Sequence, residues 1–122
     1  KLPKIFYVNW FRKDQDGGFI WPGFGENSRV LQWIFNRCEG LSEVVETPIG
    51  RLPTLDGLDF SGLDLSEEEI ATLLKVDVDG WMSELPLIES YYESFGGNVP
   101  EALWQELRTL KRQLESAKAG VA

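Results

Sequence analysis

Residue types on which many functional sites depend are scarce or missing in this sequence. It contains no histidine and a single cysteine, Cys38, among its 122 residues. Without histidine, the chain cannot supply an imidazole ligand to a metal ion. A lone cysteine excludes an internal disulfide bond and fits a reducing compartment, so we expect a cytoplasmic protein in which Cys38 is a buried or half-buried small apolar residue.

Positive charge is scarce as well. Twelve lysine and arginine residues face twenty aspartate and glutamate residues, which gives a net charge of −8. Nucleic-acid backbones and anionic membranes bind to basic surfaces, so this balance argues against both as partners. No apolar run reaches the length of a membrane span. The Gly-x-x-x-x-Gly-Lys-Ser/Thr phosphate loop is also missing, so the phosphates of a bound nucleotide would have to be met by other residues.

The sequence is rich in aromatic residues and glycine between Asn9 and Trp33. Glycine lets a backbone turn tightly and approach a ligand closely, and aromatic rings beside such a loop can hold a flat ring system. Single aromatic residues more often pack in cores, so the composition alone leaves both roles open. Gly23-x-Gly25-x-x-Ser28 is only a partial dinucleotide fingerprint, because it lacks the third glycine.

The first forty residues predict a β-hairpin, a glycine loop and then a helix. The segment 1–13 is rich in aromatic and β-branched residues and predicts a strand, and Phe19–Trp21 would be the return strand. Asp16-Gly17 is a typical hairpin turn. Pro22 and the glycines after it predict a loop, and a helix over about 26–38 should end before Gly40.

The remaining residues predict a mainly helical region, which makes the fold class α+β. Residues 41–64 form a connection that contains several proline and glycine residues, with a short strand near Val44, Val45 and Ile49. Ser66 and Glu69 form a capping box that opens a helix through Leu74. A further helix is predicted over about 78–95, with Asp77 or Asp79 as its N-cap, and a last one from about Pro100, carrying the stripe Leu103, Leu107, Leu110 and Leu114, with fraying after Ser116.

Three stretches, VNWFRKD, FIWPGFGENSRVLQW and TPIGRLPT, resemble the C-terminal part of GTP-dependent phosphoenolpyruvate carboxykinase. The resemblance covers most of the chain and is densest over 4–40. It implies a larger α/β, kinase-like carboxykinase fold, of which residues 1–122 are the C-terminal part of the nucleotide-binding domain. Within it, residues 1–40 would be the guanine-pocket segment, 41–64 a connection and 65–122 a helical region. The opening at Lys1, without an initiator methionine, adds to the expectation of a piece of a longer chain.

The resemblance also implies which residues bind the nucleotide. Trp10 and Phe11 would line a guanine pocket, Phe19 and Phe24 would hold the faces or the edge of the base, and Asn27 would form a hydrogen bond with it. Two further residues of the same loop complete the implied guanine-binding set, Gly25 and Glu26.

In that family, oxaloacetate and GTP are converted to phosphoenolpyruvate, GDP and carbon dioxide, a step of gluconeogenesis and anaplerosis that uses manganese and magnesium. This chain offers no catalytic or metal-ligand set, so the resemblance implies that metals, phosphates and oxaloacetate or phosphoenolpyruvate bind outside it. The intact enzyme would be a cytoplasmic monomer, and the isolated chain would be inactive. The alternative is a free-standing acidic helical module whose aromatic residues form a core and whose last helix docks a partner protein.

Overall fold

The computed structural model describes residues 2–120 and confirms the α+β class. Among these residues, no helix combines the length and the apolar character needed to cross a bilayer. The regular elements are helices α1 (Asn27–Glu39), α2 (Glu67–Leu74), α3 (Val78–Glu93) and α4 (Glu101–Lys118), and strands β1 (Val44–Thr47) and β2 (Gly50–Pro53).

The chain folds as two compact units. The first holds residues up to Glu46 together with Arg51–Lys75, and it contains α1 and α2. The second holds Thr47–Gly50 and the residues after Lys75, including α3 and α4.

The hairpin predicted at the N-terminal end is present only as a turn closed by a single bridge. Lys13 and Phe19 form an isolated antiparallel bridge, and the Ile20 amide donates to the Arg12 carbonyl at 3.0 Å. Residues 2–9 have no regular secondary structure, because within the described range no neighbouring strand pairs with them. This corrects the predicted strands at 1–13 and 19–21; Lys1 itself lies outside the described residues.

The two-stranded sheet lies instead within the predicted connection. Strand β1 confirms the short strand expected near Val44 and Val45, whereas Ile49 falls in the turn before β2. Gly50 has a φ of 121°, a value that strongly favours glycine. Arg51 donates to the Glu46 carboxylate at 2.6 Å, but both side chains are exposed, so this ion pair adds little to stability.

Helix α1 begins and ends close to the predicted residues. A 3₁₀ turn, Phe24–Glu26, leads into it, and Gly40 ends it in the left-handed conformation at φ 78°. The Leu41 amide then donates to the Asn36 carbonyl at 2.8 Å. Cys38, near the end of this helix, is exposed, which corrects the expected burial of its side chain.

The core of the first unit is small and rich in tryptophan. It consists of Trp21, Trp33 and Leu58, each at most 8% exposed. Phe6 meets the Trp33 ring edge-on at a centroid distance of 6.0 Å, so part of the N-terminal segment covers this core although it forms no strand.

Helix α2 opens with the predicted capping box. The Ser66 hydroxyl accepts from the Glu69 amide at 3.2 Å, and the Glu69 carboxylate accepts from both the amide and the hydroxyl of Ser66 at 2.8 Å. The amide of Ser66, and then its hydroxyl, stabilise the charged carboxylate and lower the pKa of Glu69 below its ordinary value.

The second unit is an antiparallel pair of helices. The Asp77 side chain caps α3 by accepting a hydrogen bond from the Gly80 amide at 3.0 Å. Of the two predicted N-caps, Asp77 and Asp79, the structure therefore has Asp77. Lys118 in the last turn of α4 donates to Asp79 in the first turn of α3 at 2.6 Å. Tyr92 and Trp104 meet edge-on at a centroid distance of 5.3 Å.

The apolar face of α4 differs from the predicted leucine stripe at its first position. Leu114 is fully buried, but Leu103 is 44% exposed and Trp104 takes its place against Tyr92. The helix also continues to Lys118, beyond the predicted start of fraying at Ser116, while residues 121–122 lie outside the described range.

The capping box should make folding stability sensitive to acid. Because the folded pKa of Glu69 is lowered, its contribution is fully present above the ordinary glutamate pKa of about 4.3 and is lost as the pH falls through the lowered value. Glu69→Gln keeps an acceptor but cannot titrate, so we expect its stability to fall less between neutral and acidic pH than that of the wild type.

Thermal unfolding at about pH 7 and about pH 3 would measure this difference. The matched control is Glu67→Gln, which removes the same charge from the same helical turn. In the described part of the chain, the Glu67 carboxylate forms no hydrogen bond with Ser66. Equal pH dependence of the two variants would contradict the prediction.

Candidate functional site

The first unit contains an open cavity of about 340 Å³ beside its tryptophan core. Its walls come from the N-terminal segment, from the residues after the Asp14–Gly18 turn, and from the loop and first residue of α1. The lining residues are Trp10, Phe11, Phe19, Trp21, Gly23, Phe24 and Asn27.

Three phenylalanine rings at this cavity are largely exposed to solvent. Phe11 is 70% exposed, Phe19 61% and Phe24 91%. Clustered exposed apolar side chains typically mark a binding surface, because a core residue would be covered. Phe11 and Phe19 touch edge-on at a centroid distance of 5.8 Å, and the Lys13 ammonium lies 5.4 Å from the centre of the Phe19 ring.

Short-range hydrogen bonds place the Phe11 and Phe19 rings on the same side of the turn. The Asn9 side-chain oxygen accepts from the Phe11 amide at 3.0 Å. The Asp14 carboxylate accepts from the Asp16 amide at 2.9 Å and from the Gly18 amide at 2.8 Å, which holds the turn. Each acceptor fixes the backbone close to a ring, so the two rings converge although only a single bridge pairs the two segments.

The loop before α1 positions two further lining residues, Phe24 and Asn27. Gly23 has φ 126° and ψ −170°, a conformation that is essentially restricted to glycine. The Glu26 amide donates to the Gly23 carbonyl at 3.1 Å, which closes the 3₁₀ turn. As a result, Phe24 stands at the rim of the cavity and Asn27 is the first residue of α1.

One hydrogen bond links this loop to the core. The indole nitrogen of Trp21 donates to the Asn27 side-chain oxygen at 2.8 Å. An indole N–H can only donate, so the amide oxygen must be the acceptor and the amide nitrogen must point away from it. Over residues 2–120, the Asn27 amide nitrogen has no acceptor within the chain, and it remains able to donate to a ligand.

Five of the seven residues implied by the family resemblance line the cavity, namely Trp10, Phe11, Phe19, Phe24 and Asn27. Gly25 and Glu26 belong to the loop before α1 but do not line the cavity. The Glu26 carboxylate instead accepts from Arg29 at 2.5 Å.

Sequence reasoning missed two lining residues, Trp21 and Gly23. Both lie inside the run FIWPGFGEN, so the position of Trp21 directly before the Pro-Gly corner was a usable signal. It was missed because a tryptophan in such a run is more often a core residue, and Trp21 is indeed only 8% exposed.

Charged side chains near the loop neutralise one another. Arg29 donates hydrogen bonds to the Glu26 carboxylate and, at 3.0 Å, to the Asp59 carbonyl. Its guanidinium also lies 3.4 Å from the Asp59 carboxylate. The hydroxyl and amide of Ser61, and to a smaller degree Arg29, lower the pKa of Asp59. The residues with described positions include no group of three or more histidine, cysteine, aspartate or glutamate side chains suited to a metal ion.

The cavity is therefore aromatic, uncharged and equipped with one directed amide donor. Such a site suits a flat heterocycle that carries a hydrogen-bond acceptor on its edge.

Comparison with known proteins gives the family. The model of the phosphoenolpyruvate carboxykinase C-terminal P-loop domain matches residues 1–113. Curated relatives named phosphoenolpyruvate carboxykinase (GTP) include those of Renibacterium salmoninarum, 54% identical over 93% of this chain, and Neocallimastix frontalis, 52% identical over 96%. A third, from Chlamydia trachomatis, is 50% identical over 94%. The chain belongs to the GTP-dependent phosphoenolpyruvate carboxykinase family and spans 19% of the length of these relatives.

Proposed function

We propose that this chain supplies the guanine-recognition segment of a GTP-dependent phosphoenolpyruvate carboxykinase. The full-length protein would convert oxaloacetate and GTP to phosphoenolpyruvate, GDP and carbon dioxide. The observation that carries the proposal is the aromatic cavity with its free Asn27 amide nitrogen, in a chain whose relatives are named for GTP. Family membership supports this function and not the alternative of a free-standing docking module.

The base would lie between Phe24 and the pair of rings formed by Phe11 and Phe19. Because Phe11 and Phe19 already touch each other, a base does not fit between those two. Phe24 lines the same cavity with 91% of its surface exposed, so its ring is free to cover a ligand. A volume of about 340 Å³ is at the lower end of the range of small-molecule pockets and is suited to one base.

Asn27 would select guanine through the group at position six of the base. Guanine carries an acceptor oxygen there, whereas adenine carries a donor amine. The Asn27 amide nitrogen can donate to the guanine oxygen, but it would meet the adenine amine donor to donor. Hypoxanthine carries the same oxygen as guanine, so ITP should be accepted through this contact.

The rest of the reaction would take place outside this chain. The sequence has no phosphate loop, and the cationic Arg29 is already paired with Glu26 and Asp59. We therefore propose that the triphosphate, oxaloacetate or phosphoenolpyruvate, manganese and magnesium are held by other parts of a cytoplasmic, monomeric enzyme. Gly25 and Glu26 would contribute through the shape of the loop, since neither residue lines the cavity.

The 122-residue chain on its own should bind GTP weakly. Its cavity can hold the base, but the chain carries a net charge of −8 and offers the phosphates no loop. We expect a dissociation constant of about 1 mM or weaker, equivalent to about −4 kcal/mol. Calorimetry with guanosine is the control, because GTP should bind no tighter than the nucleoside. A low-micromolar constant for GTP would contradict the prediction.

Replacing Asn27 in the full-length protein should change the choice of base. Asn27→Leu removes both hydrogen-bonding functions, and Asn27→Asp removes the donor and adds a negative charge. Leaving the base edge unpaired costs about 1–3 kcal/mol, so the GTP-over-ATP ratio of kcat/KM should fall by about 5- to 150-fold and the KM for GTP should rise. Steady-state kinetics with GTP, ITP and ATP would measure it.

The control for these variants is Asn36→Leu, an asparagine of the same helix that does not line the cavity. Its GTP-over-ATP ratio should equal that of the wild type. An unchanged ratio in Asn27→Leu would show that Asn27 does not read the base.

Removing a ring should weaken all nucleotides alike. Phe19→Ala or Phe24→Ala loses a stacking contact, which is worth about 1–3 kcal/mol per base and has little dependence on which base it is. The kcat/KM values for GTP, ITP and ATP should therefore fall together, with their ratios nearly constant. The control is Phe35→Ala, which removes a ring that is 67% exposed on α1 but outside the cavity. A selective loss of GTP alone would argue against a stacking role.

A further inference from the structure

We propose that Trp21 is a positioning residue for base selectivity, because its indole N–H fixes the orientation in which Asn27 meets the base. This inference rests on the proposed function, in which the cavity binds guanine. It assigns a specificity role to a residue that sequence analysis left outside the binding set.

The orientation is fixed because the indole of Trp21 is held firmly. Trp21 is 8% exposed and packs in one core with Trp33 and Leu58, while Trp10 covers it at a centroid distance of 5.9 Å. Its N–H donates to the Asn27 oxygen at 2.8 Å. The donor is thus fixed by packing, and the amide must adapt to it.

An asparagine amide has two orientations that differ by a half turn and have nearly the same shape. In one, the oxygen faces Trp21 and the nitrogen is available to the ligand. In the other, the nitrogen would face the indole N–H, so two donors would meet and the hydrogen bond would be lost. Trp21 therefore excludes the second orientation of Asn27.

That excluded orientation is the one that would suit adenine. With its oxygen toward the cavity, Asn27 would accept from the amine at position six of adenine and would repel the guanine oxygen. Trp21 thus contributes to selectivity by disfavouring the wrong base, in addition to any contact that favours the right one. Without the indole N–H, the amide would be free to serve either base.

The competing interpretation is that Trp21 is only a core residue. Trp33 provides a matched control, since it is 7% exposed in the same core. Its indole nitrogen is buried and, within residues 2–120, has no hydrogen-bond partner. Trp33→Phe and Trp21→Phe therefore make the same chemical change in the same core, but only Trp21→Phe removes a bond to Asn27.

Both variants would be made in the full-length protein, and kcat/KM would be measured with GTP, ITP and ATP. Trp21→Phe should lower the GTP-over-ATP ratio by about tenfold, with GTP and ITP changing in parallel because both carry the oxygen at position six. Trp33→Phe should leave the ratio unchanged. A Trp21→Phe variant with the wild-type ratio, or with the same change as Trp33→Phe, would overturn the inference.

A double variant separates positioning from packing. If Trp21 acts only through Asn27, then adding Trp21→Phe to Asn27→Leu should not change the GTP-over-ATP ratio further. A further change of the same size in that background would mean that Trp21 acts through packing, and the inference would fail.

The same measurements distinguish the two proposals. If Asn27→Leu itself leaves the ratio unchanged, the proposed reading of guanine by Asn27 is wrong, and the inference falls with it. If Asn27→Leu lowers the ratio and Trp21→Phe does not, guanine reading stands and only the positioning role is wrong.

A measurement on the Trp21 side chain itself covers the case in which Trp21→Phe does not fold. Nitrogen-15 labelling of tryptophan in the full-length protein reports each indole N–H. The Trp21 indole proton should move upfield in Asn27→Leu, because it loses its acceptor, while the Trp33 signal should stay in place. An unmoved Trp21 signal would show that the hydrogen bond is not formed and would overturn the inference.

Discussion

The hydrogen bond from Trp21 to Asn27 is the contact on which the candidate site depends, because it joins the core to the cavity. Trp21 is buried against Trp33 and Leu58 and also lines the cavity, so core packing defines where the donor points. The bond spans six residues and crosses the Pro22–Gly23 corner, which only the backbone freedom of Gly23 allows. The packed core thereby sets the orientation of the Asn27 side-chain amide at the cavity.

Features that depend on neighbouring residues were predictable from the sequence. The capping box at Ser66, the cap at Asp77, the left-handed stop at Gly40 and the turn at Asp14–Gly18 all form as expected. Each is decided by hydrogen bonds over two to four residues or by the freedom of one glycine, so no distant partner is required. The same locality explains why the bounds of α1 differ from prediction by only about one residue.

Features that depend on distant partners were not predictable. The segment 2–9 has strand composition but becomes a strand only if another strand pairs with it. On α4, a leucine and a tryptophan are adjacent in sequence, and contact with Tyr92 decides that Trp104 faces inward. The candidate site was predicted through family resemblance rather than composition, and Trp21 was missed because burial and a role at the cavity wall coincide in one side chain.

The acidic character of the chain is compatible with the proposed binding of part of an anionic ligand, because the residues that line the cavity carry no charge and suit a neutral ring. Stacking on phenylalanine and donation from an amide need no positive charge, and Arg29 near the loop is already paired with Glu26 and Asp59. In the proposed function, base recognition is thus physically separate from phosphate binding and from metal chemistry. A change in the orientation of one amide can then alter which base is accepted while the groups that would carry out phosphoryl transfer stay unchanged. Because of this separation, the ratio of kcat/KM between nucleotides reports on this segment better than the rate with any single nucleotide does.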